Sequence, residues 1–145
     1  MRVLGVDPGT RKVGLAVVDE AGEPLVLDVV EIDASAARAA ELVRGHGVEA
    51  VALGGLTGHR RLEELLRAAL PAGPPLALVD ERGSSYEARA LYWRLHPPRG
   101  LQRLLPRGML FPPVPLDAYA AAIIACRFLK QRSRGASCVS RLFVL

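Results

Sequence analysis

The stretch Arg2-Val3-Leu4-Gly5-Val6-Asp7-Pro8-Gly9-Thr10 constrains the chain more than any other. Val3, Leu4 and Val6 suit a buried strand, and Pro8-Gly9 stops that strand just after Asp7, leaving a carboxylate at the strand end. A second apolar run, Val13-Gly14-Leu15-Ala16-Val17-Val18, follows at once, so the two runs read as a hairpin turning through Gly9, Thr10, Arg11 and Lys12. An acid buried unpaired beside apolar residues costs several kcal/mol. Asp7 is therefore paired with a base, placed at a wet edge, or holding a cation. A turn acid bonding the amides of Gly9 and Thr10 is the plainer alternative.

The remaining chain builds on that hairpin. Ala21 to Pro24 make a turn, and Leu25 to Ile32 alternate as a third strand of a meander, so three antiparallel strands precede any helix. Asp33 or Ser35 is expected to cap a helix over Ala36 to Arg44 that Gly45 ends. Ala50 to Leu53 read as a strand buried on both faces. A helix starting between Thr57 and His59 places Leu62, Leu65, Leu66 and Leu70 on one face before Pro71 to Pro75 break it. A short strand, Leu76 to Val79, runs straight into Asp80-Glu81. Ser84 or Ser85 is expected to cap a helix with Glu87 on its first turn and Ala88, Leu91, Tyr92 and Leu95 on its core side, stopped by Pro97-Pro98. From Pro97 to Pro115 the sequence reads as a loop or arm, with one helical turn over Leu101 to Leu105. A last helix starts at Leu116-Asp117 and runs to Leu129. Residues 1–130 then make one domain, and 131–145 a disordered tail or one docked on a neighbour. An antiparallel trio extended by crossover strands gives an α/β fold, a mixed five-stranded sheet with helices on both faces.

Composition narrows the function classes. Half of the 145 residues are apolar, enough for one sizeable core. The net charge is +4 and the basic residues are arginine except Lys12 and Lys130, which suits a planar partner such as phosphate, although codon bias explains arginine richness equally well. Cys126 and Cys138 lack metal-ligand spacing and the three histidines are scattered, so neither a zinc site nor a disulfide framework follows. No apolar run reaches about 18 residues and the chain opens on a strand, so we expect a cytoplasmic protein without membrane span or signal peptide.

Three acids stand at element ends where packing has no need of them: Asp7, Glu81 beside Asp80, and Asp117. With a central first strand and right-handed crossovers, these ends converge. Gathered carboxylates repel unless neutralised, and hard oxygen ligands suit Mg²⁺ or Mn²⁺, which can activate water and stabilise a leaving oxygen in phosphodiester cleavage. Singly, Asp117 also serves as a helix cap, and Asp80-Glu81 as turn acids paired with Arg82. Alternation along the strand puts Val79 and Glu81 on one face and Leu78 and Asp80 on the other, so Glu81 is expected toward Asp7, and Asp80 near Arg11 or Lys12.

Val-Asp7-Pro-Gly-Thr-Arg-Lys-Val-Gly14-Leu-Ala, Val-Asp80-Glu81-Arg82-Gly-Ser84-Ser85-Tyr-Glu87-Ala and Leu-Asp117-Ala-Tyr-Ala-Ala-Ala resemble three motifs of the YqgF/RuvX family, RNase H-like proteins named as Holliday junction resolvases or pre-16S rRNA nucleases. The likeness covers residues 1 to 130 in order and spacing. It implies an RNase H-like fold and metal-dependent nuclease activity. It carries catalytic and metal-binding roles onto Asp7, Glu81 and Asp117, and places Arg82 and the Ser84-Ser85 cap near the scissile phosphate. The chain departs from the pattern at Gly54-Gly55-Leu56-Thr57-Gly58-His59, which has no acid, and at Gly83, which replaces an apolar residue. Ala120 and Ala121 stand where RuvC-type resolvases carry a further acid.

For nucleic-acid contact we take Arg11 and Lys12 of the hairpin turn, Arg82, Ser84 and Ser85, and Arg99, Arg103 and Arg107 of the proline-rich stretch. The expected partner is RNA ahead of DNA, with the chain a monomer or homodimer. A junction resolvase acting on DNA favours a two-fold dimer. A noncatalytic RNA-binding module, in which the acids only cap and pair, is a further alternative. A phosphotransfer enzyme built around a strand-one Asp needs two copies of such a fold, more chain than 145 residues supply.

Overall fold

The computed structural model describes residues 1–55 and 59–142, and of Arg107 and residues 135–142 the backbone alone. β1 (Val3–Asp7) is buried along all but its last residue because both its edges and both its faces are covered. It pairs antiparallel with β2 (Lys12–Val18), which pairs antiparallel with β3 (Pro24–Glu31). On its other side β1 runs parallel to β4 (Ala50–Gly54), itself parallel to β5 (Leu76–Val79). The sheet order is β3-β2-β1-β4-β5, the mixed five-stranded arrangement expected from the meander and the crossovers.

Alternation splits the core between the two faces. Leu4, Val6, Val13, Leu15, Val17, Val51 and Leu53 pack toward α1 (Ile32–His46) and α2 (His59–Ala69), which contributes Leu62 and Leu66. Val3, Ala16, Val18, Ala52 and Val79 pack toward α3 (Ser84–Leu95) and α4 (Asp117–Leu142). The α4 side is built of small residues. Ala121, Ala122 and Ala125 are fully buried, and a Cβ on Gly5 would overlap the carbonyl of Ala121, so the helix lies almost on the strands. Tyr92 of α3 stacks on His96 at 4.8 Å and meets Tyr119 of α4 edge-on at 5.4 Å, which fixes the two helices against each other.

Several boundaries differ from the sequence expectation. α1 begins at Ile32, directly after β3, with Glu31 at the N-cap, so neither Asp33 nor Ser35 caps it. Ser35 instead is buried and donates to the Ile32 carbonyl at 2.6 Å. The helix passes Gly45 and ends at Gly47, whose φ of 60° makes the left-handed turn. The cap of α3 is Gly83, at φ 73°, and not Ser84 or Ser85. Leu95, placed on the core side by periodicity, is 36% exposed because the chain is already leaving the helix. The expected start of α2 at Thr57 falls outside the described residues. The arm after α3 holds two short 3₁₀ segments, Gly100–Leu104 and Arg107–Met109. α4 continues past Lys130 to Leu142 where the sequence suggested a disordered tail: no proline interrupts the segment, and a helix already nucleated by packing extends at one hydrogen bond per residue. Among the described residues no helix is long and apolar enough to cross a membrane.

Candidate active site

Asp7 ends the central strand, so it has a neighbour on either side, and both neighbours are glycine. Gly14 lies opposite it on β2, and Gly54 follows Leu53, the β4 partner of Val6. These glycines leave two slots on the α4 face of the sheet. A Cβ on Gly14 would overlap the carbonyl of Asp117, the first residue of α4, and one on Gly54 would come within 2.5 Å of Glu81 Oε2. One slot thus takes the main chain of Asp117 and the other the carboxylate of Glu81, and Asp7, Asp117 and Glu81 come within reach of one another's charge at one end of the sheet. Their charges act on each other. The Asp7 carboxyl is pushed from 3.8 up to about 7, first by burial, then by the negative charge of Asp117, then by that of Glu81.

The turn after β5 sorts the neighbouring acids. Glu81 is partly buried, on the same face as Val79, and its carbonyl accepts the Ser84 N–H at 3.0 Å. Asp80 is exposed. It does not hold Arg11 or Lys12, as the sequence suggested, because Arg82 is nearer: the guanidinium binds its carboxylate at 2.8–3.2 Å and the Arg82 N–H at 2.9 Å. These bonds, the side-chain ones foremost, hold Asp80 down to about 2. Arg82, expected beside a scissile phosphate, is committed to this exposed pair. Ser84 is buried and Ser85 exposed. Arg11 and Lys12 are exposed and, with Thr10, Glu31 and Asp117, line a cleft of about 550 Å³. Arg99 and Arg103 are exposed on the arm, where Arg103 Nε donates to the Pro98 carbonyl at 3.3 Å. The side chain of Arg107 is outside the described residues.

The donor set suits a hard divalent cation, since all three groups are carboxylates and Asp7 at neutral pH is poised between holding a proton and accepting another positive charge. As placed, no group of three or more His, Cys, Asp or Glu side chains among the described residues is drawn in tightly enough to hold a metal ion.

Residues 1–96 match the family described as Tex protein YqgF-like domain. The chain belongs to the YqgF family. Relatives named "Putative pre-16S rRNA nuclease" include one from Opitutus terrae, 35% identical over 91% of this chain and 93% of its own length. One from Anaeromyxobacter sp. is 37% identical over 92% and 99%. Among solved structures, Thermus thermophilus RuvC superposes with a TM-score of 0.63 over 92% of this chain and 96% of its own at 22% identity. T. thermophilus RuvC in complex with a Holliday junction substrate gives 0.62 over the same shares at 23%. The likeness shows the RNase H-like fold.

One residue of this YqgF chain that the motifs did not point to is Arg127. From α4 it donates to the Asp80 carbonyl at 2.7 Å and to Glu87 Oε2 at 2.8 Å, tying the Glu81 turn and the first turn of α3 to the helix that carries Asp117. Its one signal in the sequence is a lone charge inside the apolar run Ile123 to Leu129.

Proposed function

We propose that this YqgF protein is a metal-dependent nuclease that hydrolyses phosphodiester bonds in RNA, of the kind its relatives' name describes, pre-16S rRNA. The observation that carries this is the meeting of Asp7, Asp117 and Glu81 across two glycine slots, an arrangement that costs the fold stability and earns no packing in return. Asp7, Glu81 and Asp117 would hold Mg²⁺ or Mn²⁺ through their carboxylate oxygens. Such an ion supplies Lewis-acid activation of water and charge neutralisation at the leaving oxygen. Asp7 would serve there as the carboxylate, its proton released to solvent. Arg11 and Lys12 hold phosphate in the cleft beside Asp117, where their positive charge opposes the repulsion between substrate and acids. Ser84 and Ser85 present the start of α3 to the strand, and Arg82 joins them once phosphate competes with Asp80. Arg99, Arg103 and Arg107 extend the backbone contact along the arm.

The test is a labelled 16S rRNA precursor fragment incubated with the purified protein, with and without Mn²⁺, beside a DNA four-way junction. Metal-dependent cleavage of the RNA, absent in Asp7→Asn, is expected. Cleavage of the junction alone makes the protein a resolvase, and cleavage of neither removes the nuclease assignment.

A further inference from the structure

Between Glu87 and Asp117 the chain carries no acidic residue and five arginines, Arg89, Arg94, Arg99, Arg103 and Arg107. The fourteen basic residues elsewhere are outnumbered by the fifteen acids, so this stretch, the outer face of α3 and the arm, accounts for the whole positive balance of the molecule. It also holds a cavity of about 480 Å³, lined by Tyr86, Arg89, Trp93, Arg94, Pro98 and Leu110 among others, within the range of small-ligand pockets.

The cavity is built, not incidental. Arg89 donates to the Leu110 carbonyl at 2.8 and 3.1 Å and to that of Gly108 at 3.1 Å, and its guanidinium lies 4.6 Å from the Phe111 ring centre, so the arm is pinned over α3. Trp93 lends its ring to the lining, while its Nε1 is closed off beneath the surface, with no hydrogen-bond partner among the described residues. Tyr86, at the mouth, is 80% exposed, a flat ring turned to solvent. Arg94 at the lining is paired with Glu23 at 3.0 Å, so the exposed arginines of the arm are the cations left for a ligand. A flat aromatic surface at the mouth, the Trp93 ring in the lining and that arm together describe one chemistry: an unpaired nucleobase stacked on the rings, its phosphates toward the arm.

We propose that this cavity binds an unpaired base of a single-stranded segment of the substrate, which deepens the nuclease reading by making single-stranded nucleic acid the preferred ligand. The path is short. Tyr86 lies five residues beyond Glu81, and from Ser84 to Trp93 the helix rises on the order of 14 Å at about 1.5 Å per residue, a few nucleotides of strand. A duplex cannot enter, because its bases are stacked and paired.

Trp93 is the only tryptophan, so its fluorescence reports this cavity alone. With EDTA present to prevent cleavage, a mixed-sequence RNA 12-mer should quench it, while the same sequence as blunt duplex should bind without quenching, and a 12-mer of abasic nucleotides should not quench. Tyr86→Ala, exposed and expected to leave the melting temperature unchanged, should weaken binding of the single strand by about five- to a hundredfold, the range for loss of one stacking partner. Equal quenching by duplex, quenching by the abasic strand, or an unaltered affinity in Tyr86→Ala overturns the proposal. So does self-association that Tyr86→Ala abolishes with no quenching by RNA, which would give the face to protein. Quenching as expected with no metal-dependent cleavage of any substrate keeps the pocket and removes the nuclease reading. Cleavage lost in Asp7→Asn with no quenching does the reverse.

Discussion

Asp7 shows how a single side chain sets stability against use. Its carboxyl stands at about 7 in the fold against 3.8 ordinarily, so the native state binds a proton that the unfolded chain has already lost. The stabilisation this gives is full below about pH 4 and is lost as pH rises through about 7; three units correspond to roughly 4 kcal/mol at most. Asp7→Asn removes the titration while keeping size and acceptor capacity. The variant's melting temperature should therefore exceed that of the wild type at pH 8, the gap closing toward pH 4 in metal-free buffer. Mn²⁺ should raise the melting temperature of the wild type but not of the variant, and cleavage should be abolished. A variant that melts like wild type at every pH, or that still cleaves, removes Asp7 from the site. Glu81 and Asp80 make the companion test. Only Glu81 shares the face of Val79 and reaches toward Asp7, whereas Asp80 is taken up by Arg82 on the surface. Glu81→Gln should lose Mn²⁺ affinity and cleavage together, and Asp80→Asn should keep metal binding, as titration calorimetry and a rate assay on each would read. The opposite pair of results would exchange their roles.

Among the elements, α4 does the positioning, and it does so through what its neighbours lack. Gly14 gives the carbonyl of Asp117 its place, so Gly14→Ala forces the first turn of α4 off β2. Overpacking of this kind costs about 1–3 kcal/mol, readable in urea denaturation. Because the shift moves Asp117 itself, cleavage should fall below what the loss of folded protein explains, measured at a temperature where the variant is fully folded. A loss of activity that tracks stability alone would make Gly14 a packing residue only. The same elements show what the sequence could express. The strands were legible because alternation and Pro-Gly breaks act locally, and so was the presence of acids at their ends. Helix starts were less so: β3 runs into α1 without a spacer, so the polar residues that resemble caps, Asp33 and Ser35, fall inside the helix. The glycine slots, the grip of Arg127 on the Glu81 turn and the cavity around Trp93 were not legible, because each joins residues that meet only after the crossovers are made. The extension of α4 to Leu142 had no apolar period to announce it past Leu129.

The whole molecule divides its charge. Acids gather where strands end around Asp7, and the surplus arginine lies along α3 and the arm, so a polyanion is drawn to one flank while the repelling carboxylates face it from the end of the sheet. The arm has little packing claim on its arginines. Arg99 and Arg103 are exposed, as are Leu101 and Leu104 at 83% and 80%, and the arm is held instead through Arg89. Arg99, Arg103 and Arg107 can therefore be replaced by Ala together with little change in melting temperature. If they bind phosphate, each contact releases counterions, and the slope of log affinity against log salt should become shallower by about 2 to 3 units, at about 0.7 per contact on single strands or 0.9 on duplex. The measurement is a salt titration of RNA binding in EDTA, wild type against triple variant. Because the base-binding residues Tyr86 and Trp93 remain, quenching of Trp93 at saturating RNA should survive, separating electrostatic capture by the arm from recognition in the cavity. A slope unchanged by the triple substitution would mean that the arm carries its arginines in solvent and touches no phosphate.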